Sequence, residues 1–224
     1  MSTLAVPIPP SRTRPKTLAE LLDGLGNVPP ERVRADPPPG TATERDVIDV
    51  EAREDRLCEL VDGTLVEKAM GFWESVLAML LVRILGRFVD DHDLGVISGP
   101  DGMIRLFPGM IRLPDVAFIS WERLAAVKGP RQAVTDAVPD LAIEVLSAGN
   151  TAGEMERKVR DYFAAGVRLV WLVDPHDRNV RVYRSPNEVG LLRVGDAVNG
   201  GDVLRGFSIE LRELFARLDQ QGKA

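Results

Sequence analysis

Residues 138–175 read VPDLAIEVLSAGNTAGEMERKVRDYFAAGVRLVWLVDP. The apolar run Leu141 to Leu146 has the length and content of a buried strand, yet it carries one charge at its centre, Glu144. After a polar break at Ser147 to Thr151, the residues Met155, Val159, Tyr162 and Phe163 fall on one face of a helix that Gly166 ends. A second apolar run, Val167 to Val173, follows. Strand, helix and strand within about forty residues predict a crossover unit, two parallel strands against one helix. Lys158 follows Met155 by three residues and precedes Tyr162 by four, at the edge of the face turned toward the sheet. A strand carboxylate and a helix lysine on the sheet side suggest a site if a second carboxylate joins them. Leu113-Pro114-Asp115, leading into Val116 to Ile119, places Asp115 at the mouth of another strand.

The chain has 224 residues, 45% of them hydrophobic, enough for one sizeable core. A formal charge of −6 excludes a general polyanion-binding surface, so any nucleic-acid footprint has to be local. The single cysteine, Cys58, rules out an internal disulfide framework, and with only His92 and His176 a histidine or thiolate zinc centre is not expected. The stretch MSTLAVPIPP lacks the basic-then-apolar order of a signal peptide. The most apolar run, Ser75 to Val82, is far below membrane-spanning length. A soluble, cytoplasmic protein with no membrane partner is the expectation.

Residues 1–53 read as a proline-rich N-terminal extension with one short helix, Thr17 to Leu25, wrapped on the domain; the proline runs of VPPERVRADPPPGTATERDV argue against further regular structure. Residues 54–218 form the expected domain and 219–224 a tail. Leu57 to Val61 and Thr64 to Lys68 flank Asp62-Gly63, a two-residue hairpin turn. Phe72 to Asp91 reads as a long helix, on which Glu74 is the only charge between Gly71 and Val82. Gly95 to Ser120 reads as a meander, Trp121 to Val127 as a helical turn, and Lys128 to Ala137 as a surface loop. Asp177-Arg178-Asn179 is a hairpin tip. Strands near Leu191 to Val194 and Val203 to Phe207 lead to a last helix, Glu210 to Leu218.

Asp115 and Glu144, each at a strand, would suit a hard divalent cation such as magnesium, which binds through one or two carboxylates and keeps several waters. Such an ion polarises a phosphoryl oxygen and activates water for phosphodiester hydrolysis, while a lysine such as Lys158 orients that water or offsets developing charge. Plainer readings stand beside these. Asp115 also reads as a turn residue, Glu144 as the partner of a buried arginine, and Lys158 and Glu74 as solvated helix charges.

At CELVDGTLVEK, LPDVAFIS, VPDLAIEVLS, ERKVRDYFAAGVRLVWLVDP and DVLRGFSIELRELF, in this order, the chain resembles the Uma2 (DUF820) family of restriction-endonuclease-like proteins. The resemblance implies the PD-(D/E)xK nuclease fold, an α/β (α+β) architecture with a mixed central sheet flanked by helices. It implies that Asp115 and Glu144 hold Mg2+ (or Mn2+) and that the substrate is DNA. The position where that nuclease pattern puts its lysine is Leu146 here; in similar proteins the amine comes from the following helix, and Lys158, with Tyr162 four residues on, is the match. Glu74 matches a position where nucleases of this fold add an acidic ligand. A homodimer follows by analogy, since two sites related by a two-fold axis suit a duplex. The rival expectation is a catalytically inactive nuclease-fold module that binds or assembles; a metal hydrolase of small molecules shares the same metal chemistry.

Overall fold

The structure, a computed structural model, describes residues 15–127 and 132–221. The first helix, α1 (Leu18–Gly24), starts at Thr17, whose hydroxyl accepts the Glu20 amide. A 3₁₀ turn (Pro30–Arg32) and α2 (Glu44–Glu54) follow. Next come β1 (Cys58–Val61), β2 (Thr64–Glu67) and α3 (Phe72–Asp91). β3 (Gly95–Ser98), β4 (Met103–Phe107), β5 (Met110–Arg112), β6 (Val116–Ser120), α4 (Trp121–Ala125) and β7 (Val134–Thr135) make up the middle. The crossover is β8 (Leu141–Val145), α5 (Ala152–Ala165) and β9 (Leu169–Asp174). β10 (Asn179–Ser185), β11 (Glu188–Arg193), β12 (Ala197–Gly200), β13 (Leu204–Glu210) and α6 (Leu211–Gln221) complete it.

Two sheets carry the architecture, with strand orders β2-β1-β5-β4-β7 and β11-β10-β9-β8-β6-β3; β12 and β13 pair separately. β8 and β9 are parallel neighbours, as the crossover requires, and β4 pairs β7 in parallel. The other ladders are antiparallel, so the sheets are mixed. Helix α5 lies between the two sheets: Met155, Val159 and Tyr162 pack with Ile104, Phe107 and Met110 of the first and with Ala142, Val170 and Leu172 of the second. On the other face of the second sheet, Leu77, Leu81 and Leu85 of α3 pack on Val116, Phe118, Ile143 and Val145. Because side chains alternate along a strand, Ile143 and Val145 face α3 while Ala142 and Glu144 face α5. Among the described residues no helix is long and apolar enough to cross a membrane.

The Asp62-Gly63 turn has φ of 50° and 70°, the positive pair that a type I′ hairpin needs. Helix α3 spans the predicted residues, and α5 ends at Gly166 with φ 97°. Elsewhere the molecule departs from expectation. The prolines stop at Pro39, and α2 forms behind Thr43, whose amide and hydroxyl both donate to Asp46 at 2.7 Å. Val47 and Val50 of α2 are buried with Cys58, Leu60 and Leu65, so the division at residue 53 falls inside a helix of the core. Upstream, Leu25 and Val28 pack on Val61 and Val66. The meander is split between sheets: β3 and β6 pair in one, β4 and β5 in the other. Pro114, which has no amide to give to a ladder, lies where the chain passes from β5 to β6. Within the predicted 128–137 loop, residues 128–131 lie outside the described residues, while Val134 and Ala137 are buried and β7 forms. β12 has no counterpart in the sequence reading. Helix α6 runs to Gln221, three residues past the expected helix end at Leu218 and into the expected tail, whose residues 222–224 lie outside the description, as do residues 1–14.

Candidate active site

Strand register brings the two predicted acids together. β6 and β8 are antiparallel with Val116 opposite Ile143, and one further step places Asp115 opposite Glu144. The Asp115 carboxylate accepts the Val145 amide at 2.7 Å, which ties it to β8. Both acids are buried. From α5, the Lys158 ammonium lies 3.1 Å from Glu144 Oε2, and the Tyr162 hydroxyl donates to Glu144 Oε1 at 2.5 Å. Lys158 and Tyr162 are one turn apart on the helix face pressed to the sheet, so one helix turn holds both oxygens of one carboxylate.

Four further groups complete the cluster, of which Glu59 and Arg112 are buried and Lys68 and Asp161 partly buried. Glu59 of β1 is 1% exposed, and its Oε1 lies 3.0 Å from Lys158 Nζ. The same oxygen accepts the Leu113 amide at 3.2 Å, while Oε2 accepts Arg112 Nη1 at 2.7 Å. Arg112 also donates to Asp161 on α5. Lys68, just past β2, donates to the carbonyls of Pro100 and Leu113, both at 2.7 Å, with Asp115 Oδ1 2.8 Å away. That last contact lacks hydrogen-bond geometry, which leaves Asp115 Oδ1 a buried acceptor with no hydrogen bond. Lys158 therefore bridges the sheets: Glu59 belongs to the five-stranded one and Glu144 to the six-stranded one.

Electrostatics separates the two glutamates that share this lysine. Burial raises the Glu144 carboxyl, and the nearby Asp115 and Glu59 charges add to the rise; Lys158 and Lys68 oppose it only in part, and the group is pushed up to about 7. Burial would raise Glu59 too, but Lys158 and Arg112 together outweigh it and hold the carboxyl at about 2. Lys158 loses by burial and gains more from Glu144 and Glu59, so its ammonium is held charged above its ordinary range. Burial, then the Glu144 charge, pushes the Tyr162 hydroxyl well up, so it stays protonated as a donor.

Of the predicted residues, Asp115, Glu144 and Lys158 meet in one place, and Lys158 is buried instead of solvated. Glu144 is paired with an amine and a phenol, not with an arginine. Glu74 is not brought into this cluster. Helix α3 packs on the sheet face away from Glu144, and the Glu74 carboxylate lies back along the chain beside Gly71, in a surface recess with Trp73, Pro175 and His176. The sequence alone does not single out Glu59, Lys68 or Arg112. Glu59 carries the same signal as Glu144, one acid inside an apolar strand, in Cys58-Glu59-Leu60-Val61. Lys68 gives no such signal, since a lysine at a strand end ordinarily points to water.

The donor set would suit a divalent ion: two carboxylates side by side, one with a buried oxygen that has an ion pair but no hydrogen bond, next to the Leu113 carbonyl. Among the described residues no three Asp, Glu, His or Cys side chains converge on a metal position, so the protein would contribute the pair and water the rest. The residues fit the ion the resemblance implies.

The mixed sheets with a parallel β8-α5-β9 crossover between flanking helices are an architecture of the restriction-endonuclease-like class. The family described as "Putative restriction endonuclease", Uma2, matches residues 46–212, and this chain belongs to that family. The fold is shared with a crystal structure from Anabaena variabilis ATCC 29413, described as "a putative nuclease belonging to DUF820". That protein is 20% identical, with a TM-score of 0.66 over 73% of this chain and 92% of that one. No curated protein matches the chain.

Proposed function

We propose that this protein is a divalent-metal-dependent endonuclease that hydrolyses DNA phosphodiester bonds. The observation that carries the reading is the meeting of Asp115, Glu144 and Lys158 at one strand pair, with Lys158 Nζ 3.1 Å from Glu144 Oε2. Asp115 and Glu144 would hold Mg2+ or Mn2+, which when bound supplies Lewis acidity toward a phosphoryl oxygen and an acidified water. Tyr162 fixes one Glu144 oxygen. Lys158 places a positive charge where an attacked phosphate gathers negative charge, and Glu59 keeps that ammonium from leaving with the substrate. The amine arrives from α5 because Leu146 holds the usual lysine position. A two-fold dimer would present two such sites to the two strands of a duplex.

The test is cleavage of supercoiled plasmid with Mg2+ or Mn2+, alongside calorimetric metal titration, for wild type, Glu144→Gln and Asp115→Asn. Both substitutions should abolish cleavage and metal binding with the fold intact; cleavage retained by Glu144→Gln overturns the assignment.

One observation favours the second reading, an inactive scaffold that binds or assembles. Glu59, Asp115 and Glu144 each already lie beside a cation, namely Lys158 with Arg112, Lys68, and Lys158. Absence of metal binding by the wild-type protein would decide for it.

A further inference from the structure

Lys68 has no part in the chemistry above, yet its surroundings are those of an ion. Its side chain is 4% exposed, and its ammonium meets three oxygens: the Pro100 carbonyl at 2.7 Å, the Leu113 carbonyl at 2.7 Å and Asp115 Oδ1 at 2.8 Å. A carboxylate oxygen and two backbone carbonyls around a compact cation form the all-oxygen shell that hard divalent ions also take. The Asp115 oxygen in that shell receives no hydrogen bond, so the ammonium satisfies it by charge alone.

The charge balance points the same way. Glu59, Asp115, Glu144 and Asp161 face Lys68, Arg112, Lys158 and Arg157, a neutral set whose side chains are 4% exposed or less apart from Asp161 at 13%. A divalent ion added to that set would leave two uncompensated positive charges in a dry site, which burial penalises heavily. One resident cation has to give way. Lys158 is held by two carboxylates, and Arg112 by Glu59 and Asp161; Lys68 has one acid. The Lys68 residue as a whole is only partly buried, and its amide is anchored to the Leu57 carbonyl at 2.9 Å, so the side chain can turn outward while the backbone stays.

We propose that Lys68 is a built-in competitor for the metal: its ammonium fills the oxygen shell of Asp115, Leu113 and Pro100 in the metal-free protein and swings to solvent when a divalent ion takes that shell. The inference rests on the metal site proposed above and adds Leu113 O and Pro100 O to it. The ammonium leaves protonated, no covalent bond changes, and the cluster gains one charge instead of two. Metal affinity is thereby lowered by the free energy of expelling the lysine, as for any ligand that binds a minor state.

The test is calorimetric titration of Mn2+ into wild type, Lys68→Met and Glu144→Gln, with acetylation of wild-type lysines by an amine-reactive ester, with and without Mn2+, mapped by peptide mass. Lys68→Met should bind Mn2+ about tenfold or more tighter than wild type, and Lys68 should be protected without Mn2+ and acetylated at saturation. Glu144-dependent Mn2+ binding that Lys68→Met leaves unchanged or weakens, with Lys68 protected throughout, overturns the competitor and leaves the site standing. No binding to wild type or Lys68→Met at millimolar Mn2+ overturns both. Should Lys68→Met fail to fold, the acetylation pattern of the wild type decides.

Discussion

Glu144→Gln should make the metal-free protein more stable at alkaline pH, although it removes the residue at the centre of the candidate site. The wild-type carboxyl is raised from 4.5 to about 7 by burial and by Asp115 and Glu59. At 1.36 kcal/mol per pKa unit, ionising it in the folded state costs about 3 kcal/mol relative to the unfolded chain. The sign follows from the raised folded value. The native state takes up a proton on folding, so this group's contribution is fully present below the unfolded pKa and is lost as pH rises from about 4.5 to about 7, remaining flat beyond. Glutamine keeps the shape and can accept from Tyr162, while Lys158 retains Glu59 as its charge partner. Urea unfolding of both proteins at pH 5, 6, 7 and 8 without metal measures the effect. The wild type should lose stability across this range relative to the variant, with the gap at pH 8 favouring Glu144→Gln by a few kcal/mol, about 3 at most. Parallel stability curves would refute the reasoning, and so would a variant weaker than wild type at pH 8.

Glu59→Gln should act in the opposite direction. It removes the charge beside both Arg112 and Lys158 in a closed site, at a cost of about 3–5 kcal/mol in urea unfolding at pH 7. Because the Glu59 carboxyl is held at about 2, its contribution is present above the unfolded value and fades as pH falls toward 2. The difference between wild type and variant should therefore shrink below about pH 4.5, and a constant gap would count against the assignment. Gly26→Ala should loosen the N-terminal segment: Gly26 has φ 82° and its added Cβ would come within 2.4 Å of the Gly153 backbone on α5. Overpacking of that kind costs about 1–3 kcal/mol, and faster limited proteolysis between α1 and α2 is the expected result; an unchanged digestion rate would contradict it.

Glu144 and Lys158 could be found from sequence because each breaks a local pattern, an acid in an apolar strand and a lysine beside a core-facing helical stripe. The hairpin, α3 and the crossover could be found because turn chemistry and periodicity are local. Glu59 breaks its strand in the same way, but in a four-residue strand beside the Asp62-Gly63 turn one polar residue also fits the alternation of an ordinary hairpin arm. The division into two sheets could not be read, because neighbouring hairpins look alike whether their strands share a sheet or not; Pro114 was the nearest hint. Lys68 and Arg112 gain meaning only from partners such as Leu113 and Glu59 that lie 45 and 53 residues away in the chain. Helix α2 was hidden by the prolines before it, although the Thr43 and Asp46 pair marked its start.

The Lys158 bridge between two sheets has a consequence for the order of folding. Lys158 and Glu144 are 14 residues apart and can meet as soon as β8, α5 and β9 form. Tyr162 is as local, 18 residues from Glu144, whereas Asp115 is tied to β8 across 30 residues and Glu59 reaches Lys158 from β1, upstream of β6 in the chain, so those closures cost more entropy. The crossover alone would bury Glu144 with one cation and leave Lys158 half-partnered. A fragment that lacks β1 and β6 would hold the Glu144–Lys158 pair without Glu59 and Asp115, and only a chain folded through β1 and β6 assembles the full arrangement.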